Sequence, residues 1–321
     1  MADRTTSLTS GPNWLFSWIR SNPLGAVLLG AIIVTLVYFF GFVKIFANGS
    51  ISTFTWAWQA WNPEINYEHA KLIPLIVAGL VWHSRKKLSA APIGSSRWGW
   101  LFIVVGILLF IVAARSLQGR VALGAFPFII FGIVLYGWGR HIARILLFPI
   151  AFLFFAVPLN FLTQATANLQ FIETGAAGAI CNAIGIHVNS VGTVISAADN
   201  SFNFNIDEGC SGIRSLMAIA MLAAIYGHLT QDRLWKKVAI FAASIVFAII
   251  GNTGRLVSIV LVGKFFGQDL AGGPYHTISG FLSFPFALAA MVLFGKLLNL
   301  RPKHSVDPTD APALPKETAA L

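Results

Sequence analysis

The chain has 321 residues, 56% of them hydrophobic and only 11% charged, with a formal net charge of +10. Soluble domains carry about 25% charged residues, so this composition excludes a water-soluble body of this size. A mean hydropathy of +0.75 and recurring apolar stretches of roughly 17–25 residues define an all-α polytopic membrane protein. In such a protein the positive charge reads as topology signal and lipid-headgroup contact, with membrane lipids as partners and no nucleic acid. The apolar regions lack the strand-length alternation of a barrel. No CxxC, HExxH or GxxxxGK[ST] pattern occurs, so no cofactor or metal site is expected. Cys181 and Cys210 are the two cysteines, too few for a disulfide framework; a single bridge between them would consume the one thiol with chemical promise.

Residues 1–23 are polar, carry Arg4, Arg20, Trp14 and Trp18, and suit a cytoplasmic tail at the interface. A first span is expected over 24–46, long enough to stay uncleaved. Residues 47–68 hold Trp56, Trp58 and Trp61, an aromatic belt, with Glu64 and Glu68 and no Lys or Arg. A second span over 72–82 ends in Arg85-Lys86-Lys87, which the positive-inside rule assigns to the cytoplasm. Spans three to five fall at 98–114, 121–138 and 145–162, with Arg140, His141 and Arg144 at a cytoplasmic turn; Arg115 and Arg120, on the other side, run against the rule. Residues 163–186, rich in Gly and Ala, read as a re-entrant or amphipathic helix, and 187–206, with alternating Val, Ile and Phe, as a short β-hairpin on the outer side. Span six covers 211–228, span seven 238–251 and span eight 276–298, with 256–267 a short piece tilted or lying in the interface at the outer lip; a full crossing there would instead place His276 in the cytoplasm. The expectation is about eight transmembrane helices with both termini cytoplasmic: a membrane domain over 24–300 and a disordered tail over 301–321.

Chemistry concentrates in two windows and one histidine. Asp207-Glu208-Gly209-Cys210-Ser211-Gly212-Ile213-Arg214 opens span six. A cysteine at a helix N-terminus, with an arginine four residues on and on the same face, is in surroundings that favour thiolate. Cys210 taken by itself is equally a small buried hydrophobe. Asn252-Thr253-Gly254-Arg255 ends span seven and His276 opens span eight. On the expected topology Cys210, Arg255 and His276 meet at the outer membrane surface. A nucleophile, a proton-transfer group and a cationic donor are the minimum set for acyl transfer. Arg214, Glu208 and Asn252 are supporting candidates: Glu208 and Asp207 as helix caps, Glu208 alternatively as an orienter of Arg255 or His276. Cys181, in an Ala/Gly-rich run without a nearby basic residue, reads as packing. Gly263 and Gly267 form a GxxxG pair that favours close helix contact, internal or between subunits.

The windows Glu208-Gly209-Cys210-Ser211-Gly212-Ile213-Arg214-Ser215-Leu216 and Asn252-Thr253-Gly254-Arg255-Leu256, with His276 at a span start, resemble the exosortase/archaeosortase family over about 72–298. The resemblance implies a membrane-embedded cysteine protease of transpeptidase type in the bacterial cytoplasmic membrane, with its site facing outward. It implies as substrates exported proteins ending in a short motif such as Pro-Glu-Pro, a transmembrane helix and a basic tail, in the setting of exopolysaccharide export. By that resemblance Cys210 is the nucleophile, Arg255 the essential arginine and His276 the proton-transfer residue. The rival reading is a non-enzymatic transporter or scaffold for polysaccharide export, binding an anionic ligand through Arg214, Arg255 and His276.

Overall fold

The computed structural model describes residues 20, 23–65, 67–158, 160–205 and 213–299; the two expected tails lie outside these apart from residues 20 and 23. The fold is helical with one small sheet. Helix α1 (Pro23–Val37) runs into a π-helical turn at Tyr38–Phe42, within the expected first span. A short helix α2 (Thr53–Ala60) follows, capped by Ser52, whose hydroxyl accepts from the Thr55 N–H at 3.3 Å. The expected tryptophan belt is divided. Trp58 stays exposed beneath the Lys71 ammonium, whereas Trp61 is buried and donates its indole N–H to the Ala156 carbonyl at 2.8 Å. Trp56 covers Gly119, where a Cβ would come within 2.2 Å of its ring.

The second expected span is short in the structure. Helix α3 (Ile73–His83) has 11 residues, about 16 Å at 1.5 Å per residue, half a hydrocarbon core. Helices α4 (Gly99–Ser116) and α5 (Gly119–Phe152) form an antiparallel pair joined at Leu117-Gln118. Glycines let their backbones meet: a Cβ on Gly99 would lie 2.6 Å from the Gly132 carbonyl, and one on Gly132 would lie 2.7 Å from the Ile103 amide nitrogen. Because the obstruction is backbone on both sides, Gly132→Ala is expected to cost about 1–3 kcal/mol, read as a lower unfolding temperature in detergent.

A turn was expected at Arg140–Arg144. The structure instead breaks α5 at one residue, Gly139 (φ +82°), and helix resumes at once. The break lets the backbone of Gly139 lie against that of Gly94, where a Cβ would meet the carbonyl carbon at 2.9 Å. The helix ends in a 3₁₀ turn at Leu153–Ala156, short of the expected 162.

Helix α6 (Asn160–Ala183) is the helix expected over 163–186. The expected hairpin is a three-stranded antiparallel sheet: β1 (Val188–Val191), β2 (Val194–Ala197) and β3 (Asn203–Asn205), in that order. Val188 pairs with Ala197 and Ile195 with Phe204, and Gly192 (φ +62°) makes the first turn. Period-2 alternation sends Val188, Ile195 and Ala197 inward against Ala177 and Cys181 of α6, and leaves Val191 exposed.

Helix α7 (Ile213–Thr230) precedes α8 (Leu234–Phe266) and α9 (Pro274–Leu297). Ile219, Ala223, Ile240, Ala248, Ala287 and Met291 form the core shared by these three helices. Helix α8 corrects the expected division into a span over 238–251 and a separate piece over 256–267. It is one helix of 33 residues, about 50 Å long against a hydrocarbon core of about 30 Å. Its last turns carry the sheet. Gly263 is covered by the Phe204 ring, 2.6 Å from where a Cβ would sit, so the Gly263 half of the GxxxG pair is used inside the chain. Gln268 Oε1 accepts from the Asn203 N–H at 3.1 Å, and Lys264 pairs with Asp199. The Lys264 ammonium, then Ser201, hold the Asp199 carboxyl below the usual carboxylate range.

By length and composition, four helices among the described residues are fit to cross a membrane: 99–116, 119–156, 234–266 and 274–297. Shorter apolar helices run over 30–42 and 214–230. Where eight spans were expected, the described residues thus show four helices of crossing length and two shorter apolar ones.

Candidate active site

Helix α8 brings Arg255 to the start of α9. Leu234 to Arg255 is 21 residues, about 32 Å at 1.5 Å per residue, close to one hydrocarbon thickness. With the basic residues Arg233, Lys236 and Lys237 at one headgroup layer, Arg255 reaches the other. So Arg255 is not past the end of a helix, as the sequence suggested. It lies inside a helix that continues for 11 more residues.

Pro274 occupies the first turn of α9, where its missing N–H costs nothing, and His276 follows within that turn. The half-buried Arg255 is fixed on this turn by three contacts. Its Nε donates to Ser279 Oγ at 3.2 Å and its Nη2 to the His276 carbonyl at 3.1 Å. The same Nη2 lies 3.4 Å from His276 Nε2. A guanidinium has only donors, so in any hydrogen bond across this contact Nε2 is the acceptor. Ser279 is buried and donates its hydroxyl hydrogen bond to the His276 carbonyl at 2.9 Å. Gly280 leaves room beside the guanidinium: a Cβ there would lie 3.4 Å from Nη2.

Among the described residues Arg255 Nη1 has no hydrogen-bond partner. Arg255 lines a cavity of about 310 Å³ with Gly254, Ser258, Tyr275, Ser279 and Phe286. The arrangement offers, among the described residues, a fixed cation with two unspent N–H donors next to an imidazole.

Cys210 and Glu208 lie outside the described residues. They are bracketed by β3, which ends at Asn205, and α7, which begins at Ile213. Arg214, in the first turn of α7, is committed elsewhere than to Arg255 or His276. Its Nε is 3.3 Å from Glu68 Oε1 and its Nη2 donates to the Pro63 carbonyl at 3.0 Å. Both side chains are partly exposed, so the pair contributes little stability; its role is to tie the segment before α3 to the start of α7. Asn252 is buried and donates to Glu173 Oε2 at 2.7 Å across the α6–α8 contact. Cys181, the other thiol, is a free cysteine fully buried between α6, the sheet and α8, and burial pushes its thiol up.

Three residues at or near this site escaped the sequence reading. Ser279 follows His276 by three positions on a helix, a spacing that places it on the same face and that could have been read. Glu173 is a lone carboxylate in a run of small residues, itself a signal in a membrane protein. Glu68 was noted only for the absence of nearby basic residues.

A family model described as transmembrane exosortase (Exosortase_EpsH) matches residues 58–295, about three quarters of the chain. No curated protein and no solved structure matches.

Proposed function

The chain belongs to the transmembrane exosortase family, and on that footing we propose that it is a cysteine transpeptidase of the bacterial cytoplasmic membrane. It cuts the C-terminal sorting signal of exported proteins at the outer face. The substrates end in a short motif such as Pro-Glu-Pro, a transmembrane helix and a basic tail, and the setting is exopolysaccharide export. The observation that carries the reading is the Arg255–His276 pair, with its guanidinium on a cavity and Nη1 unspent among the described residues, in a chain whose Cys210 precedes the start of α7 by three positions.

In the proposed reaction the Cys210 sulfur, its proton passed to His276, bonds to the scissile carbonyl carbon. Arg255 Nη1 donates to the oxyanion that forms. The carbon–nitrogen bond breaks as the imidazolium returns the proton to the leaving amine, and a thioester remains on Cys210. An acceptor bearing N–H or O–H, or water, then gives its proton to His276 and attacks the thioester. The carbon–sulfur bond breaks, the acyl group leaves on the acceptor, and the imidazolium returns its proton to the sulfur. Every bond made or broken is accounted for by these three side chains and the two substrates.

The rival reading asks Arg214, Arg255 and His276 to share one anion. Arg214 is already paired with Glu68 and the Pro63 carbonyl, which favours the enzyme.

The test is co-expression in a heterologous membrane with a tagged protein carrying a motif–helix–basic tail. The expected result is a shortened product whose release depends on the motif. An intact tail on every motif supplied, with the enzyme present in the membrane, overturns the reading.

A further inference from the structure

The α6–α8 contact holds a polar patch where apolar packing would serve for stability. On α6, Gln170, Glu173 and Thr174 are all buried and fall at i, i+3 and i+4, one face of the helix. On α8, Asn252 and Thr253 are buried as well, and Asn252 meets Glu173. Further along the same helices the contact becomes Ala177 and Cys181 against Leu256 and Val260. Burying a carboxylate without a cation costs several kcal/mol on the scale of isolated ions, and among the described residues Glu173 has only the Asn252 amide, at 2.7 Å. Gln170 Nε2 and Thr174 Oγ1 have no partner among the described residues. This arrangement is poor as a source of stability. It is good as a directional pin, because a short hydrogen bond fixes the rotation of a helix that apolar contacts leave slack.

The rotation in question is that of the turn carrying Arg255. Asn252 and Arg255 are three residues apart, so their side chains leave α8 about 60° apart at 3.6 residues per turn. Asn252 is held by α6 and Arg255 by α9, through Ser279 and His276. One turn of α8 is thus gripped from two neighbouring sides.

We propose that Glu173 is a positioning residue for Arg255, acting through Asn252 on the same turn of α8. The inference rests on the transpeptidase reading of Arg255 above. Glu173 does not touch the cavity or the reacting atoms. It sets where Arg255 Nη1 stands when charge develops on the substrate oxygen. A misplacement of about 1 Å costs up to about 10²-fold in rate.

The experiment uses the full chain in detergent or nanodiscs with a tailed peptide substrate. Glu173→Leu removes the acceptor, and Glu173→Gln keeps an acceptor oxygen for Asn252 while removing the charge. The expected result is a kcat lower by about 10–10²-fold for E173L with KM little changed, and recovery of the rate by E173Q. In an Arg255→Lys background E173L is expected to add no further loss, since the two act through one group. Should E173L fail to accumulate in the membrane, Asn252→Ser is read in the same way, because its shorter side chain no longer reaches Glu173. An E173L enzyme as fast as wild type overturns the proposal, and so does an E173L loss that multiplies fully onto that of R255K. An inactive wild-type enzyme overturns the parent reading instead, so the two failures are told apart by the first measurement.

Discussion

Cys210→Ala is expected to abolish release of a tailed substrate while the protein still accumulates in the membrane at the wild-type level. The alanine removes the sulfur and leaves the rest of the chain unchanged, and the other thiol is badly placed to replace it. Cys181, the only alternative thiol, is fully buried among Ala177, Ile186, Val188 and Ile195. Its burial disfavours the thiolate that attack requires. Without a nucleophile the thioester route is closed, and the loss is the whole of the covalent pathway rather than a fraction. Cys210→Ser carries the sharper reading. A hydroxyl is nearly isosteric but needs a stronger base, so a protease loses turnover with serine as with alanine. A transporter or scaffold retains its function with either. The measurement is product formation by gel shift against enzyme quantified in the same membranes. Product from C210A at the wild-type rate ends the transpeptidase reading.

How much of this was legible in the sequence depends on how far apart the partners lie. Arg255 and His276 were readable because each sits in a short window whose residue types have no cheap structural explanation near a membrane edge. Their meeting then followed from the hydropathy of the two helices that carry them. The alternation of Val, Ile and Phe over 187–206 gave the first two strands. Phe204 belongs to that alternation, but the reading as a hairpin missed that it lies on a third strand, β3, which is held by Gln268 and lays the Phe204 ring over Gly263, partners some 60 residues away. The same distance hid what Arg214 and Asn252 do. Their partners Glu68 and Glu173 lie 146 and 79 residues off. The division of α8 failed for a related reason. Asn252-Thr253-Gly254-Arg255 is polar and poor in helix formers, so it reads as a helix end. The tetrad stays helical because Asn252 is answered by α6 and Arg255 by α9, so its polar groups are satisfied inside the protein. The hydropathy profile was equally blind to Gly139, where a single left-handed residue replaces a predicted loop.

Arg255→Ala is expected to lower kcat by about 10²–10³-fold, the usual loss when one donor to a developing oxyanion is removed. KM should change far less, because Nη1 meets the oxyanion only as the transition state forms. Arg255→Lys separates charge from geometry. An ammonium keeps the cation but not the planar fork that reaches Ser279 Oγ and the His276 carbonyl at once while leaving Nη1 over. The lysine variant should therefore fall between alanine and wild type. It should also lose the restraint on His276, whose Nε2 faces Arg255 Nη2. Ser279→Ala supplies the control for position alone: it removes the Nε acceptor and leaves both charge and imidazole in place, and its loss should be smaller than that of R255K. If R255A processes substrate as fast as wild type, Arg255 is an interfacial arginine anchored to α9 for packing, and the oxyanion donor must be sought among the residues around Cys210.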